Sequence, residues 1–318
     1  MRKLLSIVTT LALAAGLAAG CGSKTAETPQ QPVSKETKAP GQTTYPLTVK
    51  DATGTEITIK QEPKRIVSLA SSNTEILFAL GLGDKVVGVD KWSDYPAEAK
   101  SKPVIGDMNT DTEKVVAQQP DLVIAGATLN GKAIDALRKL NVTVYAVEPK
   151  TIAEVQQAIK EIGKITNSVS KAEEVAKNME KKLSEVKAKV QGLTDDKKPL
   201  VYVEVSPAPE IFTAGKGTFM DELVTLAGGK NAFSDVANWA KISAEQVVAK
   251  NPQVIISTHG VTAEVEKEVA ARPGWDKISG VKEKKVVAVD TNLVSRPGPR
   301  LVEGLELFAK AIHPELFK

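Results

Sequence analysis

The chain of 318 residues holds one cysteine, two histidines and only 4 % aromatic residues. A lone thiol, Cys21, excludes an intrachain disulfide framework and a thiolate zinc site. The histidines, His259 and His313, fall in no HExxH-type spacing, which leaves little for imidazole-based hydrolysis or metal catalysis. A Ser-His-Asp triad assembled in space is the one such chemistry that spacing does not address. Excess charge is missing too. With 42 Lys and Arg against 39 Asp and Glu, and a formal net charge of +3, the balance argues against a polyanion, and so against nucleic acid, as partner. "GLGDKVVG" (81–88) lacks the GxGxxG spacing and "TAGKGTF" (213–219) lacks a full phosphate loop; both read as caps and turns.

Long apolar runs are confined to the start. Met1-Arg2-Lys3 is basic, and Leu4 to Gly20 is apolar or small apart from Ser6, Thr9 and Thr10, the layout of an export signal. The competing reading, a retained anchor helix, needs about 20 strongly apolar residues. Ala18-Ala19-Gly20-Cys21 resembles a bacterial lipoprotein box, with Leu17 one position farther from the cysteine than that box prefers. The resemblance implies residues 1–20 as a lipoprotein signal peptide and an acylated Cys21 as a membrane tether. An ordinary signal peptide with a leftover thiol is the plainer alternative. Two or more acyl chains anchor stably where one does not. Residues 21–44, rich in Gly, Ser, Thr, Pro, Gln and Lys, read as a disordered leash, and the folded part is expected from Tyr45. More than 270 residues remain, which exceeds what one core usually serves.

An internal repeat divides that remainder. "EKVVAQQPDLVIAG" from Glu113 and "EQVVAKNPQVIIST" from Glu245 lie 132 residues apart and share Glu, Val, Val, Ala, Pro and Ile in register. Each reads as a short helix, a proline stop and a buried strand. Strands and helices alternate around both copies. The pattern predicts an α/β protein of two Rossmann-like lobes with parallel-rich sheets. In the first lobe, 45–168, strands are expected at 65–70, 85–90, 121–126 and 142–148, with helices at 72–83 and 130–141. In the second, 194–318, strands are expected at 200–205, 253–258 and 285–290, with helices at 218–229 and 300–312. Between them, 169–193 predicts one long connecting helix opened by a capping box of Ser170 and Glu173.

Four features carry a resemblance that covers nearly all of the chain after residue 45. They are the leashed thiol, "RIVSLASSNTEILFALGLGDKVVGVDKWSDYP", the long helix, and "GWDKISGVKEKKVVAVDTNLVSRPGPRLVEGLE". In these the chain resembles the substrate-binding lipoproteins of ABC importers for cobalamin and ferric siderophores, nearer the cobalamin branch. The resemblance implies an extracytoplasmic, lipid-anchored monomer that is not an enzyme. It would capture a corrinoid in a ligand cleft between the lobes, lined by loops at the carboxyl ends of the strands, and deliver it to a permease driven by ATPase subunits. Cobalamin is then the cargo, with haem or a ferric siderophore as alternatives, and no intrinsic cofactor is implied. A chelatase-like enzyme on the same fold is the alternative of another class.

The resemblance also implies site residues. Glu113 and Glu245 match the carboxylates, one per lobe, that dock onto permease arginines; each also reads as a helix-opening glutamate, Thr110 to Glu113 forming a capping pattern. Trp92 and Trp239 match aromatic contacts to a corrinoid, and each also reads as a core or lobe-edge residue, whereas Trp275 reads as structural. Asp107, Met108, Phe212 and Asn292 to Arg296 lie on the same set of loops. Asp107 and Gly126 stand where cobalamin binders carry further tryptophans. Met108 and His259 lie at positions similar to those of axial ligands in haem-binding relatives, and thioether and imidazole are competent haem ligands. A histidine after a strand also reads as a turn or pocket-edge hydrogen-bonder. Arg296 reads either as a helix-start residue pairing locally or as a contact to cargo phosphate or amides.

Overall fold

The computed structural model describes residues 41–107 and 109–318; the leader, Cys21, the leash up to residue 40 and Met108 lie outside the described residues. The first half opens with β1 (Leu47–Lys50) and β2 (Glu56–Ile59), an antiparallel pair that the sequence reading did not contain. A four-stranded parallel sheet follows, of β3 (Ile66–Ser68), β4 (Val86–Val89), β5 (Leu122–Gly126) and β6 (Val144–Val147), in the order β4-β3-β5-β6. β3 and β6 are buried at every residue and β5 at all but Gly126. Near-continuous apolar strands of this kind belong to parallel sheets covered on both faces. The cover comes from α1 (Ser71–Ala79), α2 (Thr112–Ala117) and α3 (Gly131–Lys139). The chain leaves β3 outward to β4 and returns on the other side to β5. That reversal of strand order opens a crevice at the carboxyl ends of these strands.

Next comes α4 (Ile152–Ile165), also unanticipated, with Thr151 Oγ1 accepting from Glu154 N at 3.1 Å. Its Ile152, Val155, Ile159 and Ile162 are buried, the i, i+3, i+4 stripe of a core-facing helix. The connecting helix α5 (Val169–Val190) then runs 22 residues, about 33 Å at 1.5 Å per residue. The expected Ser170–Glu173 capping box is corrected here: Ser168 is the N-cap and makes no side-chain cap, and Ser170 lies inside the first turn. The tight α4–α5 reversal moves the start. Asn167 takes a left-handed φ of 59° there, and a Cβ on Gly163 would come 2.4 Å from the Ala172 Cβ. Only glycine lets the two helices approach so closely. Thr43 and Tyr45 are fastened to the same corner, through Thr43 N to Asn167 Oδ1 (2.9 Å) and Tyr45 OH to Ile165 O (2.7 Å).

The second half contains, in chain order, β7 (Leu200–Ser206), β8 (Phe212–Ala214), α6 (Phe219–Leu226), β9 (Lys230–Asn231), β10 (Trp239–Lys241), α7 (Ala244–Lys250), β11 (Val254–Ser257), α8 (Thr262–Ala271), α9 (Ser279–Lys282), β12 (Val286–Ala288), α10 (Thr291–Val294) and α11 (Leu301–Ile312). Its sheet runs β10-β8-β7-β11-β12, with β9 also pairing β7. β7, β9, β11 and β12 are parallel, while β8 runs antiparallel to both β7 and β10, so this sheet is mixed. Residues 213–219, expected as cap and turn only, thus include part of a strand. Thr213 Oγ1 donates to Val203 O at 2.8 Å, and a Cβ on Gly215 would lie 2.3 Å from Val236 O, a close backbone approach that glycine alone permits.

The two repeat copies fold alike. α2 is followed by left-handed Gln119 (φ 49°) before Pro120 and β5, and α7 by left-handed Asn251 (φ 46°) before Pro252 and β11. One apolar core joins the halves, with Val155 and Ile159 of α4, Leu183 and Val186 of α5, and Leu305 and Phe308 of α11 in a single cluster. No helix among the described residues is long and apolar enough to cross a membrane.

Candidate functional site

A cleft of about 560 Å³ opens between the halves, and its lining follows the strand ends. From the first half come Asn73 after β3, Asp90 and Trp92 after β4, Thr128 and Leu129 after β5, and Pro149 and Lys150 after β6. The second half supplies Phe219, Asn238, Trp239 and Arg296. The volume lies within the range of about 300–1,000 Å³ typical of small-ligand sites. Trp92, Leu129 and Trp239 are 55 %, 49 % and 44 % exposed. Large apolar side chains left open in one concavity mark a binding surface rather than scattered surface hydrophobes.

Trp92 is placed by a buried polar chain. Asp90, 5 % exposed, accepts from Trp92 N at 3.2 Å and from Ser93 Oγ. Thr74 Oγ1 donates to Ser93 Oγ (2.6 Å), and Ser68 Oγ lies 2.8 Å from Thr74 Oγ1. The loop after β4 is thereby tied to α1 and β3. Burial pushes the Asp90 carboxyl above its ordinary range, opposed in part by the Ser93 and Trp92 donors and by the charge of Arg296. On the other wall, Phe219 opens α6 behind an N-cap in which Thr218 Oγ1 accepts from Asp221 N at 3.2 Å. Its ring stands edge-on to Trp239.

Arg296 lines the cleft but donates into the protein: Nη1 to Asp94 Oδ1 (2.7 Å) and Glu75 Oε1 (3.2 Å), and Nη2 to Trp92 O (3.0 Å). Arg300 donates Nε and Nη2 to the Glu75 carboxylate at 2.8 and 2.6 Å. Burial acts to raise the Asp94 carboxyl, yet the hydrogen bond and charge of Arg296 outweigh it and hold it below the usual range.

Of the residues singled out in the sequence, the cleft gathers Trp92, Trp239 and Arg296 and leaves four others out of its lining. Phe212 is paired within the sheet opposite Lys241. Asp107 accepts from Asn109 N at 2.9 Å, closing its own turn. Asn292 is the second residue of α10, its N–H bound to Asp290 Oδ1 at 2.8 Å. His259 Nε2 meets Glu204 Oε1 at 2.9 Å. Glu204 is fully buried and also held by Arg272 and by the Tyr202 hydroxyl. A buried carboxylate requires such partners, so the imidazole is recruited to the lobe's interior rather than to the cleft. Met108 lies outside the described residues. Trp275, fully buried, lies under the Arg272 guanidinium at 4.5 Å.

Sequence reasoning missed Asn73, Asp90, Leu129 and Phe219. Phe219 ends the quoted "TAGKGTF", and a Gly-Thr pair before an aromatic at a helix start was the available signal. Glu113 and Glu245 are exposed and occupy the second position of α2 and α7. The α2 cap is Asp111, which accepts from Lys114 N at 3.1 Å, not Thr110 as expected. α7 has a full capping box of Ser243 and Gln246.

Two α/β lobes, one connecting helix and a cleft at the strand ends define a two-lobed solute-binding protein. The chain belongs to the periplasmic binding protein family, which it matches over residues 66–293. It is similar to an uncharacterised ABC transporter substrate-binding lipoprotein of Bacillus subtilis, 41 % identical over 100 % of each chain. Among solved structures it is similar to the periplasmic vitamin B12-binding protein of Vibrio cholerae, with a TM-score of 0.72 and 28 % identity over 80 % of this chain and 98 % of that one. A heme-binding protein from Roseiflexus, solved without ligand, gives a TM-score of 0.71 and 26 % identity over 80 % of this chain and 99 % of the other.

Proposed function

We propose that this protein is the substrate-binding component of an ABC importer and that it captures a corrinoid, cobalamin, outside the cytoplasm. An acylated Cys21 tethers it, residues 21–40 give it reach, since Thr43, expected in the leash, is already fastened to Asn167 and Lys164, and the lobes hold the cargo between them. The observation that carries the reading is the pair of exposed indoles, Trp92 and Trp239, on opposite walls of one cleft. Aromatic walls with a few polar groups suit a flat macrocycle with apolar edges and amide arms. The Vibrio cholerae relative, whose name records vitamin B12 binding, supports the same cargo. A haem reading draws on the Roseiflexus relative, but His259 is engaged by Glu204 and stands outside the cleft lining. Glu113 and Glu245, one per lobe on matching helix starts, are the groups proposed to meet permease arginines, an electrostatic steering that sets register. The protein binds and releases its cargo without turnover.

The test is a titration of the full chain with cyanocobalamin, following tryptophan fluorescence and heat, with haemin and a ferric siderophore in parallel. Saturable one-to-one cobalamin binding, weakened about tenfold or more in Trp92→Ala and in Trp239→Ala, is expected, because a buried aromatic contact contributes more than about 1 kcal/mol. A haemin Soret shift without cobalamin binding overturns the cargo. Metal insertion into a porphyrin with turnover overturns the transport role.

A further inference from the structure

Arg296 and Arg300 stand four residues apart on the stiff turn "RPGPR", and both reach across to the first half of the chain. Arg296 holds Trp92 O and Asp94, and the Arg300 guanidinium lies 3.6 Å from the centroid of the Tyr95 ring. Residues 92–95 are one loop, the loop that presents the Trp92 indole to the cleft. Behind it, Glu75 of α1 joins the two arginines, with side-chain exposures of 2 % for Glu75, 10 % for Arg296 and 17 % for Arg300. Gly298, midway along the turn, packs so near α1 that a Cβ there would meet Ser72 O at 3.3 Å.

We propose that Arg296 and Arg300 are positioning residues that clasp the Trp92 loop from the opposite lobe and so set the width of the aromatic cleft, rather than receiving an anionic group of the cargo. The proposal rests on the reading that the cargo lies between Trp92 and Trp239. Three features carry it. The Arg296 guanidinium already serves two carboxylates and a carbonyl, which leaves it no unbalanced charge to offer a ligand. Its bond to Trp92 is to backbone, so it fixes the position of that residue whatever side chain stands there. Finally, Glu75 is buried and needs both cations, which locks the turn to α1 and makes the clasp a unit rather than two separate surface pairs. Lysine, a point charge without the planar fork, cannot reproduce three directed bonds.

The clasp is tested twice, once without cargo. In the free protein, acrylamide quenching attributable to Trp92, taken as the difference from Trp92→Phe, is expected to rise in Arg296→Lys and in Arg300→Lys while circular dichroism stays native. With cyanocobalamin as probe, Arg296→Lys is expected to weaken binding about fivefold, yet by less than about twofold in a Trp92→Ala background, the non-additivity of residues that act through one another. Unchanged quenching together with multiplying effects would overturn the proposal and return Arg296 to direct cargo contact. If cyanocobalamin does not bind at all, the cargo reading fails, and the quenching arm still decides the clasp.

Discussion

Phe219, the first residue of α6, stands edge-on to Trp239, the first residue of β10, with ring centroids 5.2 Å apart and planes at 63°. The electropositive edge of one ring meets the face of the other, an arrangement worth about 0.5–1.5 kcal/mol beyond buried area. Nearly half of the indole is open, so this contact holds it upright in the cleft wall. Phe219→Leu keeps apolar volume and removes the edge. Cobalamin affinity should fall about threefold as the indole loses its fixed pose, and stability should fall by about the 0.5–1.5 kcal/mol of the ring contact. Isothermal titration beside a denaturant curve checks both, and an unchanged affinity would show that Trp239 needs no such support.

Two of the three tryptophans, Trp92 and Trp275, should separate cleanly by substitution. Trp92 is more than half exposed and Trp275 fully buried. Trp92→Ala should leave stability within about 0.5 kcal/mol, as surface changes do, and reduce binding. Trp275→Ala should cost about 3–5 kcal/mol through the cavity it leaves, because Tyr202 and Arg272 both pack on that ring. Urea unfolding of the two variants distinguishes them, and comparable losses would contradict the assignment of Trp92 to the cleft.

How far the sequence reached can be followed residue by residue. Parallel strands were legible because burial on both faces writes an unbroken apolar run, as in "LVIAG" and "VIIS". The repeat foretold two similar lobes, since a helix, a left-handed residue and a proline stop recur at Gln119 and Asn251. α4 was missed although "TIAE" carries a cap, because only Thr166 to Ser168 separate it from α5, with no proline or glycine between to mark a boundary. β8 and β10 escaped because three-residue antiparallel strands are fixed by tertiary pairing and leave no periodicity. In the cleft lining, Trp92 and Trp239 were legible because tryptophan is scarce here. His259 was placed in the cleft because a strand-end position says nothing of Glu204, 55 residues earlier, which claims the ring.

Glu113 and Glu245 are separable from helix stability because other residues do the capping. Asp111 caps α2, and Ser243 with Gln246 caps α7. The Ser243 hydrogen bond holds the Glu245 carboxyl below its ordinary range, so it stays charged at neutral pH. Glu113→Gln and Glu245→Gln should each change stability by no more than about 0.5 kcal/mol and leave cobalamin affinity intact. Together they should reduce cargo-dependent ATPase stimulation of the cognate permease complex about tenfold at low salt, with a smaller loss at high salt as screening removes the wild-type advantage. Full stimulation by the double variant would remove these glutamates from the docking surface.

A second carboxylate ties the halves together and makes their union depend on pH. Glu222 of α6 accepts the backbone N–H of Ile152, at the start of α4, at 2.7 Å. Burial raises its pKa, the Ile152 N–H and the charge of Lys187 oppose that, and Glu154 adds to it. With the folded value above the unfolded one, the contribution of Glu222 to stability is present in full below the ordinary glutamate pKa of about 4.3. It is lost as pH rises through the raised value, where the fold must hold a partly desolvated anion. Glu222→Gln keeps an oxygen for the Ile152 N–H and cannot ionise. The melting temperature of the variant relative to the parent should therefore climb as pH rises from about 4.3 through the raised value and then level off. Asp90, raised in the same direction, is present in both proteins and cancels from the comparison. Parallel melting profiles across that range would mean that solvent reaches Glu222 freely and that the seam between α4 and α6 carries no titrating charge.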